Sequence, residues 1–279
     1  MDAGSIPAAS TKKSSDKLIL MITYLINLKR AKDRLESVSE YFKNADIEFN
    51  LLEAVDGKQL SLPLSSFNET KYKLMHGKKP NLGEIGCYLS HLKALELFIK
   101  TDEHHALICE DDIEFLPNLR KIIDNALSSK INFDLLRLSG GSDKKRERGS
   151  PIKLKRIEGE YHLALNFTFK PGTGCYVINK KGAKAILKKL HKISLPIDHA
   201  LDRDWLTGLK SLTIFPSPVT LKESLHVQNS YIKATKEFKI SPFLRLWTVI
   251  PYRIFNESLR TLYKSFFLLR LILNTKKLK

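Results

Sequence analysis

Cysteine is scarce in this chain. Cys87, Cys109 and Cys175 are an odd number, each in an apolar or Gly-flanked setting, which argues against a disulfide framework. They read as small buried hydrophobes in a reducing compartment. No Cys/His set falls at zinc-ligand spacing. A membrane-spanning run is also missing: Leu18–Leu28 is too short, and Thr23 and Asn27 interrupt it. It has no small-residue cleavage site, so neither a signal peptide nor translocation is expected, and the sequons at Asn68, Asn166 and Asn256 would go unused. The glycines fit neither a Walker nor a dinucleotide-binding spacing. Acidic residues are in deficit, with 30 Asp and Glu against 47 Lys and Arg, a net charge of +17. That excess implies an anionic partner: nucleic acid, an anionic membrane surface or phosphorylated substrates. Against nucleic acid stands the lack of aromatic–basic interleaving or any binding motif.

At 279 residues the chain reads as one large α/β domain, or one domain with a tail. Residues 1–16 are small and polar, a disordered leader or expression scar. Residues 17–240 form the body, and 241–279 a basic, amphipathic, helical tail. The body is organised around Ala106–Phe115. Four apolar residues, a buried strand by pattern, run into Glu110, Asp111 and Asp112. Such a strand would set the carboxylates at the C-terminal rim of a sheet, where α/β folds bind ligands. Three adjacent carboxylates need relief from solvent or from a hard cation such as Mn²⁺ or Mg²⁺. The alternatives are a solvated acidic turn and a metal site.

Other stretches surround this one. Leu18–Leu28 predicts a central first strand, leading into a cationic turn with Arg30 and Arg34 on one face of a helix start, which suits a phosphate or simply water. A second strand, Glu48–Leu52, precedes an Asp56-Gly57 turn, and Ser61–Lys79 reads as an irregular surface excursion. A helix from Asn81 to Ile99 carries Glu84, Ser90 and His91 within an apolar pattern. Leu135–Leu138 reads as a strand, and a basic loop follows with Lys144, Lys145, Arg146 and Arg148, then Lys153, Lys155 and Arg156. Gly172-Thr173-Gly174 permits a close backbone approach to a ligand, or only a turn. It precedes a short strand, Cys175–Ile178, and a basic helix, Gly182–His191. Asp198 follows Pro196 at a helix entry, as a cap or as a carboxylate aimed into a cleft. Leu212–Phe215 and Val219 read as further strands. In the tail Leu259, Leu262, Phe266, Leu269 and Leu273 share one helix face, with Arg260 and Lys264 opposite. This fits interfacial binding to anionic lipid, or docking on the body or a partner subunit.

In this order the stretches resemble glycosyltransferase family 25, the bacterial lipooligosaccharide and lipopolysaccharide galactosyltransferases. The matching pieces are Ile26-Asn27-Leu28 with Arg30 and Arg34, Ala54-Val55-Asp56-Gly57, Gly83-Glu84-Ile85-Gly86-Cys87 with Ser90-His91, and Glu110-Asp111-Asp112. Gly174–Ile178, Pro196-Ile197-Asp198, and Gln228 with Ser230 add weaker matches between residues 20 and 232. The resemblance implies a GT-A-like nucleotide-sugar-binding fold, a mixed central sheet flanked by helices, and inverting transfer of a hexose. The donor would be UDP-galactose or UDP-glucose, typically galactose, and the acceptor lipooligosaccharide. It implies Mn²⁺ or Mg²⁺ at Asp112, with His226 as a further ligand, and Asp198 as general base, although spacing does not select it over Asp202. Asn27, Arg30, Arg34, Asp56, Glu84, Ser90, His91, Glu110, Asp111, Thr173, Gly174, Gln228 and Ser230 would bind or line the nucleotide-sugar. The expected location is cytoplasmic, peripheral to the inner membrane. The rival readings are a metal-dependent nucleotidyltransferase, a basic nucleic-acid-binding protein and an inactive scaffold docked on membrane.

Overall fold

The computed structural model describes residues 21–139, 151–222 and 239–276. In chain order its strands are β1 (Met21–Asn27), β2 (Asn50–Glu53), β3 (His105–Glu110), β4 (Ile113–Phe115), β5 (Leu135–Arg137), β6 (Ile152–Glu158), β7 (Tyr161–Leu165), β8 (Cys175–Asn179), β9 (Ser211–Phe215) and β10 (Val219–Leu221). Eight of them form one mixed sheet in the order β2-β1-β3-β8-β5-β9-β7-β6, and β4 pairs with β10 separately. β1, β2 and β3 run parallel, whereas β8 runs antiparallel between β3 and β5. The apolar run Ala106–Cys109 is fully buried because both sheet faces are covered. On one face lie α3 (Leu82–Phe98) and α5 (Lys180–Lys189); on the other, α1 (Lys32–Asn44) and α4 (Leu119–Leu127). This is the α/β arrangement, a large mixed sheet flanked by helices, that the sequence led us to expect.

Two glycine-bearing stretches far apart in sequence make one backbone contact. A Cβ on Gly86 would stand 2.5 Å from the Val55 carbonyl oxygen, and one on Gly57 2.4 Å from that of Leu82. Ser90 locks the contact: its hydroxyl donates to the Gly86 carbonyl (2.8 Å) and accepts from the Val55 amide (2.8 Å). The start of α3 is thereby fixed against the end of β2, and Ser90, expected on the nucleotide-sugar, serves that junction.

The structure corrects three expectations. Within Ser61–Lys79 lies a helix, α2 (Glu69–His76), capped by the Asn68 side chain and by Gly77 at φ +80. The polar composition hid Tyr72 and His76, four residues apart and both buried. Lys153, Lys155 and Arg156 belong to no loop but to edge strand β6, where charged side chains protect an open edge. Lys144, Lys145, Arg146 and Arg148 lie outside the described residues.

The third correction concerns the tail, α8 (Pro242–Trp247) and α9 (Val249–Lys276). The two faces are as patterned, but it is the cationic one that packs on the body. Arg260 is fully buried, ion-paired to Asp202 and Glu257, with Nε donating to the Phe167 carbonyl at 3.2 Å. Lys264 reaches Asp204 at 3.4 Å and the Asn166 carbonyl at 2.6 Å. Neither cation is offered to lipid headgroups. Phe267 enters the core, while Leu262, Phe266, Leu269 and Leu273 are exposed. Among the described residues, no helix is long and apolar enough to cross a membrane.

Candidate active site

A cleft of about 670 Å³ opens at the C-terminal ends of β1 and β3, bounded by the start of α3, the 172–174 loop and α6 (Ile197–Leu201). The turn from β3 to β4 delivers the acidic trio to its floor and separates the three side chains.

Glu110 faces inward. Its Oε1 accepts from the Thr173 hydroxyl (2.8 Å) and lies 3.2 Å from His91 Nε2. His91 Nδ1 is 3.1 Å from the Tyr176 hydroxyl, so the buried imidazole is held at both ends. Burial pushes the Glu110 carboxyl up, but the bonds from His91 and Thr173 outweigh it and hold it below the usual range.

Asp111 also lines the cleft, with its oxygens engaged. It accepts from Asn27 Nδ2 (2.8 Å) and Arg34 Nη1 (3.0 Å). Asn27 and Arg34, expected to hold the nucleotide, are buried and tie β1 and α1 to this carboxylate, and Arg34 lines the cleft as well. Burial still raises the Asp111 carboxyl, against the pull of Arg34.

Asp112 carries the surplus. Burial, then the charges of Glu110 and Asp111, push its carboxyl up to about 7, with Arg34 at 3.9 Å as the opposing influence. Its own carbonyl is held by the Lys222 amide at 2.9 Å.

Asp198 stands on the cleft wall in the first turn of α6. Its Oδ1 accepts from the His199 amide (2.8 Å) and its Oδ2 faces the Gly172 amide (3.4 Å). Asp202, one turn further on, points away and is buried against Arg260. The helix thus decides between two carboxylates that spacing left equal. Arg137, absent from the expected set, ties the loop to α6 by donating to the carbonyls of Lys170 (2.8 Å) and Asp198 (3.3 Å).

Around the rim, Arg30 pairs with Asp56. Glu84 is engaged by the Tyr72 hydroxyl and by Lys78 Nζ at 3.3 Å. His76 lines the same wall with its pKa lowered to about 2, by burial first and then by His199, Lys78, Arg253 and Arg245; its imidazole is neutral beside Glu84 at 3.6 Å. His76, Lys78 and His199 were not foreseen. The signal was the spacing of Tyr72 and His76 on a helix that went unread. Gly174 is required by packing, since a Cβ there would meet Ile113 Cγ2 at 3.0 Å and Leu221 Cδ2 at 3.1 Å. His226, Gln228 and Ser230 lie outside the described residues.

Two groups of side chains bear on a cation. Asp112, Glu110 and Asp198 line the cleft with hard carboxylate oxygens without closing into one compact set, and the raised Asp112 carboxyl marks excess negative charge that a divalent ion would relieve. Cys87, His91 and Glu110 bring a thiol, an imidazole and a carboxylate within 4.8 Å of one another, a softer set. The oxygen set suits Mn²⁺ or Mg²⁺.

A model of the family described as "Glycosyltransferase family 25 (LPS biosynthesis protein)" matches residues 21–201, the span that builds this cleft. A protein of Anopheles gambiae named "Glycosyltransferase 25 family member" is 32% identical over 203 residues, covering 67% of this chain and 32% of its own length. Human "Procollagen galactosyltransferase 2" is 29% identical over 186 residues, 63% of this chain and 28% of its own. These relatives are animal proteins, where the sequence had suggested bacterial ones, and the chain spans about a third of their length. The solved "Crystal Structure of A197 from STIV" overlaps 71% of this chain and 82% of its own at 10% identity and a TM-score of 0.40, too distant to bear on function. With the matched span covering seven of the eight strands of the main sheet and the acidic residues of the cleft, the chain belongs to glycosyltransferase family 25.

Proposed function

We propose that the chain is an inverting glycosyltransferase that moves a hexose, galactose first among candidates, from a UDP-sugar to a growing lipooligosaccharide or lipopolysaccharide chain. The observation that carries this reading is the gathering of carboxylates. Glu110, Asp111, Asp112 and Asp198 line one cleft, and of these Asp111 is bonded to Arg34 and Asn27. The name of the human relative supports galactose, and the family description supports the acceptor class.

Asp112, with Glu110 beside it, would hold Mn²⁺ or Mg²⁺, which neutralises charge on the departing diphosphate. Glu110 is fixed for this by His91 and Thr173. Asp198, oriented by two backbone amides, takes the proton of the acceptor hydroxyl as that oxygen bonds to the anomeric carbon. The bond from the anomeric carbon to phosphate oxygen breaks on the opposite face, and its electron pair leaves with UDP. Arg30 and Lys78 on the cleft rim are cations that would meet the nucleotide phosphates.

The test is a panel of UDP-hexoses with truncated lipooligosaccharide, with and without Mn²⁺, read as UDP release and glycosylated product. One hexose should be transferred in a metal-dependent way; nucleotidyl products instead of sugar transfer would overturn the reading. Asp198→Asn should cut turnover by about 10²–10⁴-fold with little change in UDP affinity. A loss confined to UDP binding would remove it from the role of base.

A further inference from the structure

Most of the exposed large hydrophobic side chains among the described residues lie in α8 and α9. Leu262, Phe266, Leu269 and Leu273 recur at intervals of four, three and four residues as one outward stripe, and the exposed Phe255, seven residues before Leu262, extends it towards the start of α9. An apolar surface of this extent exposed to water marks a contact site. The opposite side of the helix is pinned to the body by Arg260 with Asp202 and by Lys264 with Asp204, so the apolar side has nowhere else to go.

We propose that this face is the site at which the protein docks on an anionic lipid surface, lying in the interface and not crossing it. Two observations select lipid. The first is charge: exposed Arg270 borders the stripe, stacked over the Phe266 ring at 4.3 Å. The only acidic residue of α8 and α9, Glu257, is already paired with Arg260. A second copy of this chain, at a net charge of +17, would set like charge against like charge across the contact, whereas anionic headgroups would pair with Arg270. The second is composition: Phe243 and Trp247 are 75% and 67% exposed at the start of the segment, and aromatic rings of this kind favour the membrane–water boundary. Among the described residues, no helix is long and apolar enough to span.

The placement also has a consequence for substrate access. The Ile240 amide donates to the Gly77 carbonyl (3.2 Å), and the Val249 side chain lies where a Gly77 Cβ would fall. Gly77 ends α2, whose His76 lines the cleft. The docking segment and the cleft wall are therefore one rigid unit, which would hold the cleft beside the leaflet that carries a lipid-linked acceptor. Docking itself does not depend on which sugar is transferred.

The test uses the full chain and vesicles of phosphatidylcholine with or without phosphatidylglycerol, in low salt. The chain has two tryptophans, and Trp205 is bonded to Asn256 of α9, so emission is read in a Trp205→Phe background, where it reports on Trp247. A blue shift and co-sedimentation are expected with the anionic vesicles only. The combined variant Leu262→Gln, Phe266→Gln and Leu269→Gln should lose at least tenfold in vesicle affinity with an unchanged melting temperature. Arg270→Gln should lose about fivefold and flatten the salt dependence. Undiminished binding by the glutamine variant would overturn the proposal. So would a wild-type dimer that ignores vesicles and that the same variant makes monomeric, since the occupant would then be a second copy.

Discussion

Two regions among the described residues bury charge in opposite ways. Beneath α9 each cation meets its own acid: Arg260 with Asp202, and Lys264 with Asp204. The fork of Arg260 is completed by Glu257 and a carbonyl, leaving the seam balanced. In the cleft the acids crowd. Asp111 takes Arg34 and Asn27, and Asp112 is left beside Glu110 with its carboxyl pushed up to about 7. Balanced burial holds elements together, whereas surplus charge of one sign is costly unless a ligand of the other sign arrives. The seam is scaffold, and the surplus in the cleft is what the proposed cation would relieve.

The sharpest way to test that contrast is to remove one group from each side. Asp112→Ala should lower turnover by about 10³-fold while leaving the melting temperature equal or higher, because it removes a repelled charge. A protein that unfolds instead would make Asp112 scaffold. Arg260→Ala should do the reverse. Breaking a buried pair strands Asp202, so stability in urea should fall by about 3–5 kcal/mol, with turnover of the folded fraction retained. A cost near zero would mean that the seam is not held by these charges.

A smaller effect separates the two regions by pH. The folded metal-free protein keeps on Asp112 a proton that the unfolded chain releases near pH 4. The stability that this group contributes is thus present below about pH 4 and lost as pH rises towards 7. Asp112→Asn lacks this loss, so its melting temperature should pull ahead of the wild type over that window, by a few degrees at the top. Saturating Mn²⁺ should close the gap by raising the wild type alone. A gap that stays constant from pH 4 to 7 would contradict the raised Asp112 carboxyl.

Much of the cleft could be read before any coordinates. The apolar run into Glu110–Asp112 marked a strand end, and the Glu84, Ser90 and His91 spacing marked a helix beside it. What spacing could not say is which way each side chain turns. Asp111 and Asp112 are adjacent, chemically alike and both on the cleft lining, yet Arg34 on α1 bonds the first at 3.0 Å and only nears the second at 3.9 Å. Asp198 and Asp202 were equal candidates until Arg260, some sixty residues further along the chain, was seen to occupy one of them. Gly57 reads as a turn residue, while the contact that demands both Gly57 and Gly86 joins segments with no local signal. The tail shows the same limit from the other side. Its pattern divides a helix into two faces and leaves open which of them packs on the body.

The sequence by itself determined the α/β class, the order of the principal strands, the acidic trio at a strand end and the two-faced tail helix. Periodicity and turn chemistry act over a few residues and leave their mark in the chain. The tertiary structure alone decided which carboxylates share the cleft, which glycines bring backbones together and which face of α9 meets solvent. Each of those depends on the partner that waits across the fold, and pairing between distant segments is settled by three-dimensional packing, which no local window of sequence records.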